Sequence, residues 1–498
     1  MRRVRGGGLL AARHDRAAGD RADNGLRPPM TAPSVPLTRT VKAGYGAADL
    51  GMAGVEVLLQ LFLLEFYTRS VGLSASLVGY ALGIAVAWDA ITDPLMGTLS
   101  DRTRTRWGMR RPYMLAGGLV FALAVPLLFW PPALATQGGK FAYLLITYLL
   151  LNTGYTVLSV PYTALAGEMT TDRAERTELF GWRLLAKNGG FLIGALAPGL
   201  LYNAAEPHGA AAALQESRGA VASVLAGIVL VTVLISTVAV RRHDTYERAV
   251  ARTGGAVSPR EMLLEWRGVL CNPLFLPMVI AFVIAQSGRT INASLGIYYY
   301  KIFLGLTERD IAAVLGAFIL SVSLSVVLWL WISRRIGKKR AAFTGALSLG
   351  LLTMVTYPFL PPGQLLPVLI FASGFGGLTV GSVILFEALV ADAVDYDELK
   401  TGRHREGLYY GIWTMATKLA RAAGLATTGI LLDAIGLDPA VSEHAPELGW
   451  RIALLFGPGV GLWFVLAALV FLLLPHSEAK QDRIQALLRR QAARRPTP

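Results

Sequence analysis

Two aspartates, Asp89 and Asp93, stand four residues apart at the end of a long apolar stretch. On a helix, this spacing places both carboxylates on one face, about one turn apart. Two such oxygen donors suit a small hard cation, and a pair of like charges is also suited to share and relay a proton. We therefore predict a cation or proton site at Asp89 and Asp93, with a purely structural pair as the alternative.

The composition decides what surrounds these carboxylates. Of the 498 residues, 54% are hydrophobic and 16% are charged, whereas soluble domains carry about 25% charged residues. Twelve apolar windows follow one another along the chain, and each is long enough to cross a bilayer, which takes about 20 residues. We predict an all-α membrane protein with twelve transmembrane helices.

Basic residues lie on alternate turns between these windows. The turns at 100–112, 167–183, 241–267, 334–340 and 400–405 carry five, three, six, five and three arginines or lysines. Basic turns stay in the cytoplasm, and an even number of spans puts both termini on that side as well. We expect a multi-pass protein of the bacterial cytoplasmic membrane. Because the net charge of +14 is distributed on one side, it favours anionic lipid over nucleic acid as its partner.

The windows divide into two sets of six, each with a short basic turn after its second window, at 100–111 and 333–340. This weak repeat predicts the major facilitator fold, in which two six-helix halves enclose a binding site near the membrane midplane. The predicted divisions are a basic, disordered N-terminal extension (1–42), a first bundle (43–240), a cytoplasmic linker (241–272), a second bundle (273–474) and a basic cytoplasmic tail (475–498).

The depth of the two aspartates favours a site inside the protein. Counted from the basic turn near Ser100, Asp93 lies about 10 Å and Asp89 about 16 Å into a core about 30 Å thick. An ionised carboxylate that faces hydrocarbon costs several kcal/mol. Both side chains must therefore face the bundle interior or a wet cavity.

Few charges of either sign lie deep enough to accompany them. Lys418, midway through the eleventh window, is predicted to pair with the aspartates and to sense whether they are occupied. Arg183 in the fifth window and Arg289 in the seventh either contact substrate or pack helices. Glu56, deep in the first window, is a candidate to line the cavity, whereas Glu65, near its outer end, is expected to reach water.

A dense mixed-charge turn, DAVDYDELKTGRHRE, follows the tenth window. Such a turn on the cytoplasmic face favours ion pairs between the halves, which would hold one of two arrangements. With the acidic and basic residues that end the second window, the candidate gating residues are Asp101, Arg102, Asp392, Asp395 and Arg405.

Four stretches, in this order, resemble the glycoside-pentoside-hexuronide:cation symporter family: YGAADLG…FYT, WDAITDPLMGTLSDRTRTRWGMRRPY, VPYTALAGEMTTDRAERTEL and ADAVDYDELKTGRHREGLYYG. The resemblance covers nearly all of residues 43–474. It implies a major facilitator fold and coupling of solute entry to Na⁺, Li⁺ or H⁺, with no further cofactor. Matched residue by residue, it implies that Asp89 and Asp93 bind the coupling cation as its metal ligands, with Thr156 and Lys418 beside them.

The same resemblance places Arg183 in a sugar pocket, but the sequence departs from the family at the sugar acceptors. Ala53 and Ser159 stand where members similar to melibiose permease have aspartates, and Thr163 stands where they have a tryptophan. Buried carboxylates that bind sugar hydroxyls discriminate strongly, so their loss favours an anionic, less hydroxylated or amphipathic solute. The candidate substrate residues are Arg183, Ser159, Thr163, Arg289 and Glu56.

We predict a Na⁺- or H⁺-coupled symporter of a glycoside, hexuronide or related sugar, acting as a monomer in the lipid bilayer. The family is also similar to the sodium-coupled lysophospholipid transporters of animals, so a lysophospholipid-like solute is the alternative. A membrane prenyltransferase is disfavoured, because its aspartate clusters must meet around Mg²⁺-diphosphate at one face and Asp89 lies too deep.

Overall fold

The computed structural model describes residues 37–103, 105–170, 173–201, 210–244, 266–402, 405–437 and 446–475, with a few positions between 480 and 487. Most of the predicted N-terminal extension and tail, and residues 245–265 of the predicted linker, lie outside the described residues. Every long element in the described ranges is a helix.

Six long helices form the first half of the described chain. They are α1 (Arg39–Arg69), α2 (Ala75–Arg102), α3 (Arg111–Phe129), α4 (Gln137–Met169), α5 (Arg173–Leu200) and α6 (Ala210–Ala239). Helix α1 packs along α5 and α6, and α4 packs along α2 and α3. Thr38 begins α1, because its side chain accepts a hydrogen bond from the backbone N–H of Val41.

Six further helices form the second half. They are α7 (Phe275–Phe303), α8 (Glu308–Ile336), α9 (Lys338–Phe359), α10 (residues 365–401), α11 (Glu406–Ala434) and α12 (Pro446–Leu472). Helix α8 starts with a capping box, in which Thr307 and Asp310 satisfy each other's backbone N–H groups. Gly337, with φ of +87°, makes the turn into α9. Helix α7 packs along α11 and α12.

Ten helices of the described chain are long and apolar enough to cross a membrane. Helices α5 and α11 are not among the ten, although they contain 28 and 29 residues. Both carry charges in mid-helix, Arg183 and Lys187 on α5 and Lys418 and Arg421 on α11. Charges in such helices mark transport pathways, so these two helices are expected to line the site between the halves.

The two halves contact each other at the end opposite the basic turns. Asp433, near the end of α11, accepts hydrogen bonds from the backbone N–H groups of Ala75 (3.1 Å) and Ser76 (2.9 Å) in the first turn of α2. The hydroxyls of Thr68 on α1 and Tyr298 on α7 lie 2.5 Å apart. A carboxylate from one half thus caps a helix of the other, where the helix dipole favours negative charge.

Four charged residues, of which three are buried and Lys301 is partly buried, also join the halves at this end, and we call them the inter-half charge cluster: Glu65, Arg218, Lys301 and Glu308. Lys301 Nζ lies 2.6 Å from Glu65 and contacts Glu308. Arg218 lies 3.0 Å from Glu308 and 3.7 Å from Glu65. The expectation that Glu65 reaches water is wrong, since its side chain is 0% exposed. The two cations stabilise the carboxylate inside the protein, as buried charges require.

Apolar packing also differs between the two ends of the molecule. One core cluster contains residues of both halves, among them Phe66 of α1 and Tyr298 of α7. A second cluster contains residues of the second half only, built around Phe282 and Trp413, whose ring centroids lie 3.9 Å apart. The halves are therefore packed together at one end, and the second half has a core of its own toward the other.

Candidate functional site

The four residues predicted to bind a cation meet between α2, α4 and α11. Thr156 Oγ1 on α4 donates a hydrogen bond of 2.9 Å to Asp93 Oδ1 on α2. Lys418 Nζ on α11 donates to the other carboxylate oxygen, Asp93 Oδ2. The Asp93 side chain is 28% exposed and that of Lys418 is 27% exposed. The ion pair thus links the two halves and stays within reach of solvent.

Asp89 lies one turn from Asp93 on the same face of α2 and is half-buried. Its Oδ1 atom is buried and accepts no hydrogen bond from the described residues. The charges close enough to act on it are those of Lys418, Asp93 and Arg421. A buried carboxylate oxygen without a donor is costly, so this atom is suited to receive a cation or a proton.

The charges of the predicted cation site, taken by itself, do not balance. Asp89 and Asp93 carry two negative charges, and Lys418 supplies one positive charge. Nearby, Arg421 lies 3.5 Å from Glu56 Oε1, and these two charges offset each other. One negative charge is left over, which one Na⁺ or one proton would neutralise.

The donors at this site are oxygens of two carboxylates and one hydroxyl. In the described part of the chain, His, Cys, Asp and Glu form no group of three or more that could hold a metal ion. Hard oxygen donors of this kind suit an alkali cation or a proton better than a transition metal. The assignment of Asp89 and Asp93 as cation ligands stays a prediction.

Arg183, predicted to contact substrate, is bound to a carboxylate that the sequence reasoning missed. Its Nε and one terminal nitrogen lie 2.7 and 3.3 Å from the two oxygens of Asp49 on α1. The Tyr162 hydroxyl donates to Asp49 at 2.6 Å, and the guanidinium lies 4.6 Å from the centroid of the Tyr162 ring. Asp49 lies inside the first apolar window, so the argument used for Asp89 could have found it.

The other predicted substrate residues are spread over three helices. Glu56 on α1 faces Arg421 of the second half. Ser159 is half-buried and Thr163 is exposed on α4, and neither makes a hydrogen bond within the described ranges. Arg289 is exposed on α7. The structure therefore brings Glu56 to the cation residues, and the substrate roles of all five residues stay predictions.

The partners described for the gating candidates lie in the same half as the candidates or, for Asp395, in the C-terminal tail. They are Arg110 for Asp101 (2.5 Å), Lys338 for Asp392 (2.7 Å), Gln481 for Asp395 (2.9 Å) and Asp397 for Arg405 (4.0 Å). The side chain of Arg102 lies outside the described residues. The ion pairs described between the halves, Lys418–Asp93, Arg421–Glu56 and the inter-half charge cluster, lie elsewhere.

Removing the Thr156 hydroxyl tests its part in the site. Thr156→Val is expected to raise the cation concentration for half-maximal solute uptake about tenfold or more, because a hydrogen bond to a charged group contributes roughly 1.5–3 kcal/mol. Thr156→Ser keeps the hydroxyl and is expected to behave as wild type. Cation titrations of uptake in proteoliposomes measure both, and equal values for the valine and serine variants would remove Thr156 from the site.

The fold and the charged centre fit a membrane transporter of the major facilitator type. Residues 44–478 match the family described as MFS/sugar transport protein, which is a family of transporters and not of enzymes. The chain belongs to this family, and the resemblance to the glycoside-pentoside-hexuronide:cation symporters is confirmed.

Three curated relatives cover most of the chain. The putative glycoside/cation symporter YagG of Escherichia coli (strain K12) is 30% identical over 468 residues, which are 91% of this chain and 95% of that protein. The glucuronide carrier protein homolog of the same strain is 27% identical, with 80% and 84% covered. The sodium-dependent lysophosphatidylcholine symporter 1-A of Danio rerio is 25% identical, with 89% and 87% covered.

A solved structure supports the fold. The crystal structure of the nucleoside transporter NupG superposes with a TM-score of 0.60 at 13% identity, covering 88% of this chain and 100% of that chain. At this identity, the likeness concerns the fold alone. The predicted all-α major facilitator architecture is confirmed.

Proposed function

We propose that this protein is a symporter that couples the entry of a glycoside or hexuronide to Na⁺ or H⁺. The observation that carries the proposal is the ion pair between Asp93 and Lys418 of opposite halves, with an unpartnered oxygen of Asp89 one turn away. Relatives named as a glycoside/cation symporter and a glucuronide carrier support the solute class.

The electrostatics of the centre explain the coupling. With no cation bound, Asp89, Asp93 and Lys418 leave one negative charge, and closing the halves over it would bury that charge away from water. A bound Na⁺ or proton removes this penalty. Since a ligand shifts a conformational equilibrium only by its differential affinity for the two states, the cation favours exchange between them.

Lys418 is the residue that links the cation to the motion of the halves. It belongs to the second half and holds Asp93 of the first. A cation that binds the two carboxylates competes with the ammonium for Asp93, and this competition weakens a contact across the interface. Lys418→Ala is therefore expected to uncouple or slow transport at near-normal expression.

The same proposal places the protein in a bacterial cytoplasmic membrane as a monomer with both termini in the cytoplasm. The one-sided basic turns support this orientation. The inter-half charge cluster then lies at the external end, and the described conformation is closed on the outside.

A solute screen in proteoliposomes tests the proposed function. The panel contains neutral glycosides, glucuronides and lysophosphatidylcholine, each measured with an imposed inward Na⁺ gradient and, separately, an inward H⁺ gradient. We expect one of the sugar derivatives to accumulate above its external concentration with one of the two gradients. Accumulation of lysophosphatidylcholine alone would favour the alternative solute. Downhill flux that is insensitive to both gradients would contradict symport.

A further inference from the structure

The two central arginines are bound in different ways. Arg183 places two nitrogens on Asp49 and stacks over Tyr162, and its side chain is 16% exposed. Arg421 approaches Glu56 at 3.5 Å without a hydrogen bond, and these two side chains are 30% and 28% exposed. Arg421 also lies within electrostatic range of Asp89, and no hydrogen bond of Arg421 is described in the ranges that the structure covers. N–H groups of the Arg183 guanidinium are thus hydrogen-bonded to Asp49, whereas no hydrogen bond is described for the N–H groups of Arg421.

Arg421 also lies at the right place to meet a solute. It follows Lys418 by three residues on α11, so both cations lie on neighbouring positions of one helix face. Opposite it, in the first half, lies Glu56 on α1. A solute between the halves would meet this carboxylate from one side and the guanidinium of Arg421 from the other.

The chemistry of the group specifies its ligand. A guanidinium carries five N–H donors in a planar fork that matches a carboxylate, and each carboxylate oxygen accepts a short charge-assisted bond. Lys418 is engaged by Asp93, and Lys187 lies 5.4 Å from the centroid of the Phe191 ring. Among these cations, Arg421 is the one that a solute carboxylate could occupy by displacing a loosely held partner.

We propose that Arg421 recognises the carboxylate of a hexuronide, and that Glu56 is the resting partner which this carboxylate displaces. The inference rests on the proposed function and names the residue that selects the solute class. An anionic solute also adds one negative charge to the centre. Closing the halves over an anionic solute therefore requires one more positive charge than closing them over a neutral glycoside.

Two solutes with the same aglycone test the assignment: 4-nitrophenyl β-D-glucuronide and 4-nitrophenyl β-D-glucoside. Cation-driven uptake of each gives a ratio of kcat/KM values for wild type and variants in proteoliposomes. We expect wild type to prefer the glucuronide, and Arg421→Gln to lower the ratio about tenfold or more, since charge-assisted pairs are strong and specific. Arg421→Lys, which keeps the charge without the fork, should retain part of the preference.

Matched variants complete the test. Arg309→Gln removes an exposed arginine of α8 and is expected to leave both solutes unaffected. A ratio unchanged in Arg421→Gln, or one lost in Lys187→Gln instead, would overturn the assignment.

The outcomes separate this inference from the proposed function. Gradient-driven uptake of the glucoside by wild type, without preference for the glucuronide, overturns the role of Arg421 and leaves symport intact. Uptake of both solutes that ignores the gradients overturns symport but not the preference. Failure to take up either solute overturns both.

Discussion

Asp93→Asn is expected to abolish accumulation of solute against its gradient while leaving downhill exchange largely intact. Asparagine removes a cation ligand and one negative charge, so the centre becomes neutral through Asp89 and Lys418 alone. The halves can then move without a bound cation, and coupling is lost. We expect the ratio of internal to external solute to fall to about one, because the coupling cation then no longer binds one arrangement of the halves more tightly than the other.

The measurement is uptake under an imposed cation gradient, paired with exchange between labelled and unlabelled solute at equal concentrations. Glu216→Gln removes an exposed carboxylate of α6 and serves as the matched control. Accumulation by Asp93→Asn at the level of the control would exclude Asp93 from coupling. Loss of accumulation and exchange together would indicate a structural role.

Arg218→Met is expected to destabilise the described arrangement of the halves. The arginine is 0% exposed and lies between Glu65 and Glu308. Its removal leaves two buried carboxylates with Lys301 as their principal cation, and breaking a buried pair in this way costs about 3–5 kcal/mol. We expect a lower apparent Tm in detergent and a lower yield of monodisperse protein.

A second substitution separates this electrostatic cause from a packing defect. Glu308→Gln in the Arg218→Met background removes one uncompensated charge and should restore part of the lost stability. Arg309→Gln, one residue along α8 and exposed, is the control. An apparent Tm equal to wild type in Arg218→Met would show that the inter-half charge cluster contributes nothing to this conformation.

The centre of the site could be predicted from the sequence because charged residues are rare in apolar segments. Asp89 and Asp93 have helical spacing, and Lys418 is one of few cations at the same depth. The structure places Lys418 and Thr156 on Asp93 as expected from the resemblance. Spacing along one helix and depth in the membrane were enough for Asp89, Asp93 and Lys418, whereas Thr156 was implied by the resemblance alone.

The pairing of the remaining charges could not be predicted. Arg183 meets Asp49, Glu56 meets Arg421, and Glu65 meets two cations. Each pair joins different helices, so it depends on how the helices are rotated against one another. A single sequence fixes the face on which a residue lies but does not identify the helix that this face contacts.

The charged turns stay a prediction. The sequence predicts ion pairs between the halves near Asp392 and Asp395, and the partners described for these residues include Lys338 of the second half and Gln481 of the tail. A transporter alternates between arrangements, and an ion pair between halves exists in one of them. The described arrangement joins the halves at the other end, through the inter-half charge cluster.

The account is tested most directly by asking whether a cation alone permits the halves to move. In a Cys271→Ser background, spin labels on cysteines placed at the exposed positions Arg106 and Lys400 report the separation of the halves at the end with the basic turns. Double electron–electron resonance in nanodiscs, with and without Na⁺ and at high and low pH, gives the distance distribution. We predict a distribution that responds to the coupling cation in wild type, and one that is independent of cation when Asp89 and Asp93 are both replaced by asparagine. A wild-type distance distribution that is unchanged by Na⁺ and by pH would contradict this account. A distance distribution of the doubly substituted protein that still changes when a cation is added would contradict it as well.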